Sequence, residues 1–124
     1  MNKQKIHLLA VDDDPGIREV LELFLSPKGF QVTTAEGAKE AAALLQTESF
    51  DLVILDLHLK DGDGWSLLAD LRATQPDLPV VILTGDGYQE SLLHKARALG
   101  ARGFVSKEVF PSQVLVEIRH ILHV

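Results

Sequence analysis

The sequence contains no cysteine, and this absence excludes several kinds of chemistry. A disulfide framework, a thiolate zinc site and a cysteine nucleophile all need a residue that this 124-residue chain lacks. Long apolar runs are also missing, since none approaches the roughly 18 residues that indicate a membrane-spanning helix. The N-terminal apolar run Leu8–Val11 is too short for a signal peptide. We therefore expect a soluble, cytoplasmic protein.

Basic residues are in the minority: 12 Lys and Arg stand against 18 Asp and Glu, which gives a net charge of −6. Nucleic acids and anionic membranes are bound by clustered Lys and Arg, so we expect neither as a direct partner. Hydrophobic residues make up 46% of the chain and charged residues 24%, as is typical of a folded globular protein. We expect one domain over residues 1–124, because the length is below the roughly 150 residues usual for a domain.

Five short apolar runs alternate with longer amphipathic stretches. The runs are Ile6–Val11, Phe30–Ala35, Leu52–Leu57, Val80–Thr84 and Gly103–Ser106. The first, third and fourth runs are almost continuously apolar, which is typical of parallel strands buried on both faces. The second run alternates apolar and polar residues, which indicates an edge strand.

A helical pattern follows each of these runs. The predicted helices begin at Pro15, near Ala38, after Gly64, near Gln89 and near Pro111. Either Asp13 or Asp14 is placed to cap the first helix, because Pro15 is a favoured first helical residue. Strand and helix repeated five times predict an α/β fold, a doubly wound parallel sheet with strand order 2-1-3-4-5.

Chemically useful side chains gather at the predicted carboxyl ends of the strands, where such sheets bind ligands. Asp12 and Asp13 follow the first strand, Asp56 lies at the end of the third, Thr84 ends the fourth and Lys107 follows the fifth. Crowded carboxylates raise one another's pKa unless a cation intervenes, and their hard oxygens suit Mg²⁺. The three aspartates therefore predict a divalent-cation site. The hydroxyl and the ammonium are suited to an anion such as a phosphoryl group, for which Asp56 is the best-placed nucleophile.

These motifs together resemble the receiver domain of two-component response regulators, including the chemotaxis response regulator. The matching segments are LLAVDDDP, VILDLHLKDGDGW, VVILTGDG and GARGFVSK, and the resemblance extends from Ile6 to His123. It implies a flavodoxin-like (βα)5 fold. It also implies a phosphorylation-dependent switch rather than an enzyme, although such a domain can promote its own phosphorylation and dephosphorylation.

The resemblance implies a role for each residue of the acidic cluster. Asp56 is the phosphoacceptor, and the donor is a sensor histidine kinase or a phosphotransfer protein. Asp13 contacts Mg²⁺ (or Mn²⁺) directly, whereas Asp12 acts mainly through a bound water. Asp56 and the backbone carbonyl of His58 complete the metal ligands.

The resemblance also implies how a signal leaves the site. Thr84 and Lys107 hold the phosphoryl oxygens, and Phe104 matches an aromatic switch position that responds to phosphorylation. The surface formed by the fourth helix, fifth strand and fifth helix then changes its partners. His58 and Asp86 occupy positions that tune the lifetime of the phosphoryl group.

Three positions depart from the pattern of the family. Lys60 and Glu108 stand where proline is usual, and Gly85 stands where alanine is common. A cis bond before a residue other than proline costs about 3–4 kcal/mol. We therefore predict a trans Lys107–Glu108 bond.

Other interpretations of the same residues remain open. A pseudo-receiver would bind partners without phosphorylation, and a phosphatase of the haloacid dehalogenase type would also use an aspartyl nucleophile with Mg²⁺. A flavin binder on this fold is disfavoured by the acidic first loop. The target is either a downstream effector protein or an output domain in a longer chain, and the resemblance implies a monomer or weak dimer. The five histidines show no shared metal-ligand spacing and are expected at the surface.

Overall fold

Five parallel strands form the central sheet of the computed structural model, which describes residues 5–85 and 89–124. They are β1 (Ile6–Val11), β2 (Phe30–Ala35), β3 (Leu52–Asp56), β4 (Val80–Thr84) and β5 (Gly103–Ser106). Their spatial order is β2-β1-β3-β4-β5 and every pair is parallel, so the predicted topology is confirmed. The third predicted run was one residue too long, since β3 ends at Asp56.

Five helices connect or follow the strands. They are α1 (Pro15–Leu25), α2 (Ala38–Thr47), α3 (Gly64–Thr74), α4 (Glu90–Ala98) and α5 (Ser112–Leu122). Asp14, rather than Asp13, caps α1, because its side chain accepts a hydrogen bond from the Gly16 amide at 2.8 Å. Asp13 is therefore not needed as the cap of the helix. No helix within residues 5–85 and 89–124 is long and apolar enough to cross a membrane.

The sheet separates two hydrophobic layers, as the alternation of side chains along a strand requires. On β3, Leu52 and Ile54 face the layer that contains the buried residues of α1 and α5. Val53 and Leu55 face the other layer, which contains those of α2, α3 and α4. Each of these four side chains is at most 1% exposed, which explains why the central run is apolar throughout.

A small antiparallel hairpin between β3 and α3 was not predicted. Its strands are His58–Leu59 and Gly62–Asp63, and they pair His58 with Asp63 and Leu59 with Gly62. Close packing follows at Gly64, where an added Cβ would lie only 2.5 Å from the backbone oxygen of Asp56. The absence of a side chain at Gly64 therefore allows α3 to begin directly against the end of β3.

One histidine differs from the others in its surroundings. His7 on β1 is half-buried: its Nε2 lies 2.7 Å from the Thr33 hydroxyl and its Nδ1 lies 3.1 Å from the Ser49 carbonyl. The other four histidines are exposed. The surface expectation is therefore wrong for His7, which joins β1, β2 and the segment before β3 at the end of the sheet opposite the aspartates.

Candidate functional site

The three predicted aspartates meet at the carboxyl ends of two neighbouring strands. Val11 pairs with Leu55 in the register of β1 and β3, so Asp12 and Asp56 emerge side by side. Asp12 is 1% exposed and Asp56 is 2% exposed, whereas Asp13 is half-buried. One carboxylate oxygen from each of the three residues can be chosen so that all lie within 4.8 Å of one another. The fold therefore concentrates negative charge in a largely buried position.

Asp12 has one satisfied and one unsatisfied carboxylate oxygen. Its Oδ1 accepts a hydrogen bond from the Asp14 amide at 2.9 Å. Its Oδ2 is buried and has no hydrogen-bond partner, although the Lys107 ammonium lies 3.0 Å away as an ion pair. A buried oxygen that makes no hydrogen bond is costly in a folded protein. The oxygen-rich cluster thus fits a hard divalent cation such as Mg²⁺, which binds carboxylates and keeps part of its water shell.

Asp56 is held between a backbone amide and a cation. Its Oδ1 accepts a hydrogen bond from the His58 amide at 3.2 Å, and its Oδ2 accepts one from Lys107 Nζ at 3.3 Å. Burial, and secondly the charge of Asp12, raise the pKa of Asp56 above its ordinary value. The His58 amide and the Lys107 ammonium oppose that rise without cancelling it. The ionised carboxylate of Asp56 is therefore electrostatically disfavoured in these surroundings.

Lys107 bridges the two buried carboxylates. Burial alone would lower its pKa, but the contacts with the carboxylates of Asp12 and then Asp56 outweigh burial, and the pKa of Lys107 is raised. The side chain therefore carries a positive charge at neutral pH. Its backbone amide also donates to the Thr84 carbonyl at 2.8 Å, which joins the ends of β5 and β4. Thr84 itself is fully buried, opposite Ser106 in the strand register.

His58 and Phe104, also predicted from the sequence, lie near the aspartates and Lys107. The His58 side chain is exposed, but its amide reaches Asp56. Phe104 is half-buried two residues before the end of β5, where it packs on the layer of α2, α3 and α4. It borders a cavity of about 210 Å³ beside α4. Asp86 lies outside the described residues.

The peptide bond between Lys107 and Glu108 is trans, as predicted from the sequence. Among the described residues the cis peptide bond is Phe110–Pro111, so the Lys107–Glu108 bond is trans, as expected for a residue other than proline. The Glu108 amide donates to the Ser106 hydroxyl at 3.1 Å, which supports the turn that follows β5.

Two residues of the site were not found from the sequence. Arg18 on α1 donates from Nη1 to the backbone oxygen of Asp12 at 2.7 Å. Asp61, in the hairpin after β3, accepts from the amides of Ala38 and Lys39 at 2.8 and 3.1 Å. Neither contact has a local sequence signal, because each joins a side chain to a backbone group of another element.

The chain is similar to known proteins both in sequence and in fold. A sequence model of the family described as response regulator receiver domain matches residues 8–119. The chain belongs to this family. The chain is 45% identical over 87 residues to the transcriptional regulatory protein GlrR of Escherichia coli (strain K12). This alignment covers 70% of this chain and 20% of GlrR. The chain thus spans about a fifth of the length of that curated relative.

Solved structures support the same assignment. A CheY-like receiver domain protein from Methanospirillum hungatei JF-1 has a TM-score of 0.89 and 28% identity, covering 97% of this chain and 95% of that one. The response regulator TrrA from Thermotoga maritima, solved in complex with Mg²⁺–BeF, has a TM-score of 0.83 and 29% identity, covering 93% and 97%. The expected flavodoxin-like (βα)5 fold and the receiver-domain identity are confirmed. The chain is a signalling module of two-component systems.

Proposed function

We propose that this receiver domain accepts a phosphoryl group on Asp56 in a Mg²⁺-dependent reaction. The donor is the phosphohistidine of a sensor histidine kinase or a phosphotransfer protein. The observation that carries the proposal is the buried arrangement of Asp12 and Asp56 around the Lys107 ammonium, which pairs with one Asp12 oxygen outside hydrogen-bond geometry. Such a site is incomplete without a cation and an anion.

The proposed metal ligands are Asp12, Asp13, Asp56 and the backbone carbonyl of His58. When bound, Mg²⁺ (or Mn²⁺) would neutralise the carboxylates and offset the charge of the incoming phosphoryl group. Within the family resemblance Asp13 is a direct ligand and Asp12 acts mainly through water. The similar protein TrrA was solved with Mg²⁺–BeF, which supports the choice of cation for this chain.

Transfer of the phosphoryl group requires only one nucleophile from the protein, the Asp56 carboxylate. A carboxylate oxygen of Asp56 attacks phosphorus, the bond from phosphorus to the donor's imidazole nitrogen breaks, and the imidazole keeps the electron pair. Lys107, now 3.3 Å from Asp56 Oδ2, would pair with a phosphoryl oxygen instead. The buried Thr84 hydroxyl would donate to another. Lys107 and Thr84 are therefore proposed to bind the phosphoryl group on Asp56, and neither forms a covalent bond to it.

The proposed output is a change at the surface of α4, β5 and α5. Phe104 lies half-buried on β5 and lines the cavity of about 210 Å³, which supports a change in the position of its ring. Movement of Thr84 toward the phosphoryl group would leave room for that change. His58 and Asp86 are proposed to tune the lifetime of the phosphoryl group.

The partners follow from the same proposal. The chain is one receiver domain over residues 1–124, monomeric or weakly dimeric and cytoplasmic, without direct nucleic-acid or membrane binding. Its relative GlrR is named as a transcriptional regulatory protein, which favours an output domain or effector that acts in transcription. In that case the domain acts on DNA through its partner.

Intact mass spectrometry tests the phosphoacceptor directly. The protein is incubated with acetyl phosphate, with Mg²⁺ or with EDTA, and Asp56→Asn is treated in the same way. We expect one phosphoryl adduct that requires both Mg²⁺ and Asp56. An adduct that persists in Asp56→Asn would contradict the assignment. If no adduct forms, beryllofluoride binding separates a short-lived phosphoryl group from a pseudo-receiver, because only a working site binds it.

A further inference from the structure

The N-terminus of α2 lacks a cap of its own. Its cap position is Gly37, which has no side chain to accept the first amides of the helix. Asp61 accepts them instead, through Oδ1 from Ala38 at 2.8 Å and through Oδ2 from Lys39 at 3.1 Å. The helix is therefore capped by a carboxylate that lies more than twenty residues further along the chain.

Gly37 and Asp61 are sterically matched. A Cβ added at Gly37 would overlap Asp61 Oδ1, so the carboxylate would have to move. A serine or aspartate at position 37 would cap the helix locally but would displace Asp61. The two backbone amides lower the pKa of Asp61, so the carboxylate is charged where it sits. The chain thus uses a glycine to admit a distant cap where a local one is usual.

This cap connects the two halves of the acidic site. On one side, the Asp12 amide donates to the Ala35 carbonyl at 3.1 Å, so the end of β2, just before α2, is hydrogen-bonded to Asp12. On the other side, Asp61 belongs to the hairpin that begins two residues after Asp56. Asp13 and Asp61 border the same cleft of about 230 Å³. The cap is therefore a bridge from the loop of Asp56 to the strand end beside Asp12.

We propose that Asp61 is a positioning residue for the phosphoacceptor site. By capping α2 from the loop after β3, it holds the backbone of His58 against Asp56 and sets the distance between the two sides of the metal cluster. Residues outside the ligand shell that orient it commonly change metal affinity by about 10–100-fold when they are removed. The proposal rests on the function proposed above, but it concerns the metal-free architecture as well.

A charge effect has to be separated from positioning, because Asp61 is itself negative. Glu36 borders the same cleft and carries the same charge, while the amides of α2 donate to Asp61 rather than to Glu36. Glu36→Gln is therefore the matched control for loss of one negative charge. Gly37→Ser is the complementary variant: it keeps every charge and supplies a local cap, yet it leaves no room for Asp61.

The test compares wild type, Asp61→Ala, Gly37→Ser and Glu36→Gln by three measurements. Hydrogen exchange at the His58 amide is followed by NMR in EDTA, Mg²⁺ affinity by calorimetry, and stability by urea denaturation. For Asp61→Ala and Gly37→Ser we expect faster exchange at His58 and a Mg²⁺ dissociation constant raised about 10-fold. Gly37→Ser should keep the stability of wild type, because the serine caps α2.

The outcomes separate the alternatives. If Gly37→Ser binds Mg²⁺ as wild type does, Asp61 is only a helix cap and the proposal is overturned. If Glu36→Gln weakens Mg²⁺ binding as much as Asp61→Ala, the effect is one of charge and the proposal is likewise overturned. None of these measurements depends on phosphorylation. A wild type that binds Mg²⁺ but forms no adduct would count against the proposed function and leave the positioning role standing.

Discussion

Replacement of Asp56 by Asn should stabilise the metal-free protein, even though it removes one member of an ion pair. Burial and the charge of Asp12 raise the pKa of Asp56, so the folded protein disfavours the ionised form of this carboxyl. Asn has nearly the same shape as Asp and no charge. The substitution therefore removes the disfavoured charge without leaving a cavity.

The distances indicate how large the effect should be. The carboxylate oxygens of the cluster lie within 4.8 Å, and two like charges at that distance repel by about 3.5 kcal/mol at an effective dielectric constant of ~20. Lys107 attracts Asp56 across 3.3 Å by about 5 kcal/mol on the same basis. In the variant, Lys107 keeps its ion pair with Asp12 at 3.0 Å. The variant also avoids the cost of burying the Asp56 carboxylate, which is several kcal/mol. We expect a net gain of about 1–3 kcal/mol in the free energy of unfolding.

Urea denaturation in EDTA at pH 7 measures this gain, with Asp70→Asn as a control that neutralises an exposed carboxylate on α3. The pH dependence gives a second check. Because the folded pKa of Asp56 is raised above 3.8, this group lowers the stability of the wild type as pH rises from 3.8 through the folded value. The advantage of Asp56→Asn should therefore shrink as the pH falls through the folded pKa, and it should vanish well below 3.8, where Asp56 is protonated in both the folded and the unfolded state.

A result of the opposite sign would refute this reasoning. If Asp56→Asn is less stable than wild type in EDTA at pH 7, attraction to Lys107 outweighs burial and repulsion together. If the difference is independent of pH, it does not arise from the ionisation of Asp56. Addition of Mg²⁺ should stabilise the wild type more than the variant, because the variant lacks one of the proposed carboxylate ligands.

Three further predictions concern neighbouring residues. Asp13→Ala should raise stability in EDTA and abolish the expected stabilisation by Mg²⁺, both measured by thermal melts; unchanged melting in both conditions would contradict the metal cluster. Lys107→Met should destabilise the protein in EDTA by about 3–5 kcal/mol in urea denaturation, because two buried carboxylates lose their cation; a neutral effect would mean that the ion pair is unimportant. Gly64→Ala should cost about 1–3 kcal/mol, since the new Cβ would lie 2.5 Å from the Asp56 carbonyl, and it should slow adduct formation in mass spectrometry. Wild-type stability and rate in Gly64→Ala would show that α3 can move away without consequence.

The central strands could be predicted from the sequence, because a strand buried on both faces is a continuous run of apolar residues. The runs of β1, β3 and β4 are apolar at nearly every position, and each lies at the centre of the observed sheet. Boundaries were less certain, as at Leu57, which is buried and apolar but lies beyond the end of β3. The hairpin after β3 was missed because strands of two residues carry no periodicity.

The acidic cluster was predictable for a different reason. The carboxyl ends of parallel strands meet at one edge, so Asp12, Asp56, Thr84 and Lys107 could be placed together once the strands were assigned. Which oxygen pairs with which donor could not be predicted. The ion pairs of Lys107 with both carboxylates depend on the distance between strand ends and on side-chain torsions, which the order of residues does not specify.

The order of strands and helices, the family and the set of residues that meet at the carboxyl edge of the sheet could thus be read from the amino-acid sequence. The contacts of Arg18 and Asp61 with that edge became visible only in the folded chain. Arg18 reaches the Asp12 carbonyl from α1, and Asp61 caps α2 from the loop after β3. The physical reason is that both contacts join a side chain to a backbone group of another element. Every residue has a backbone, so the sequence carries no mark of the partner until the fold brings the two together.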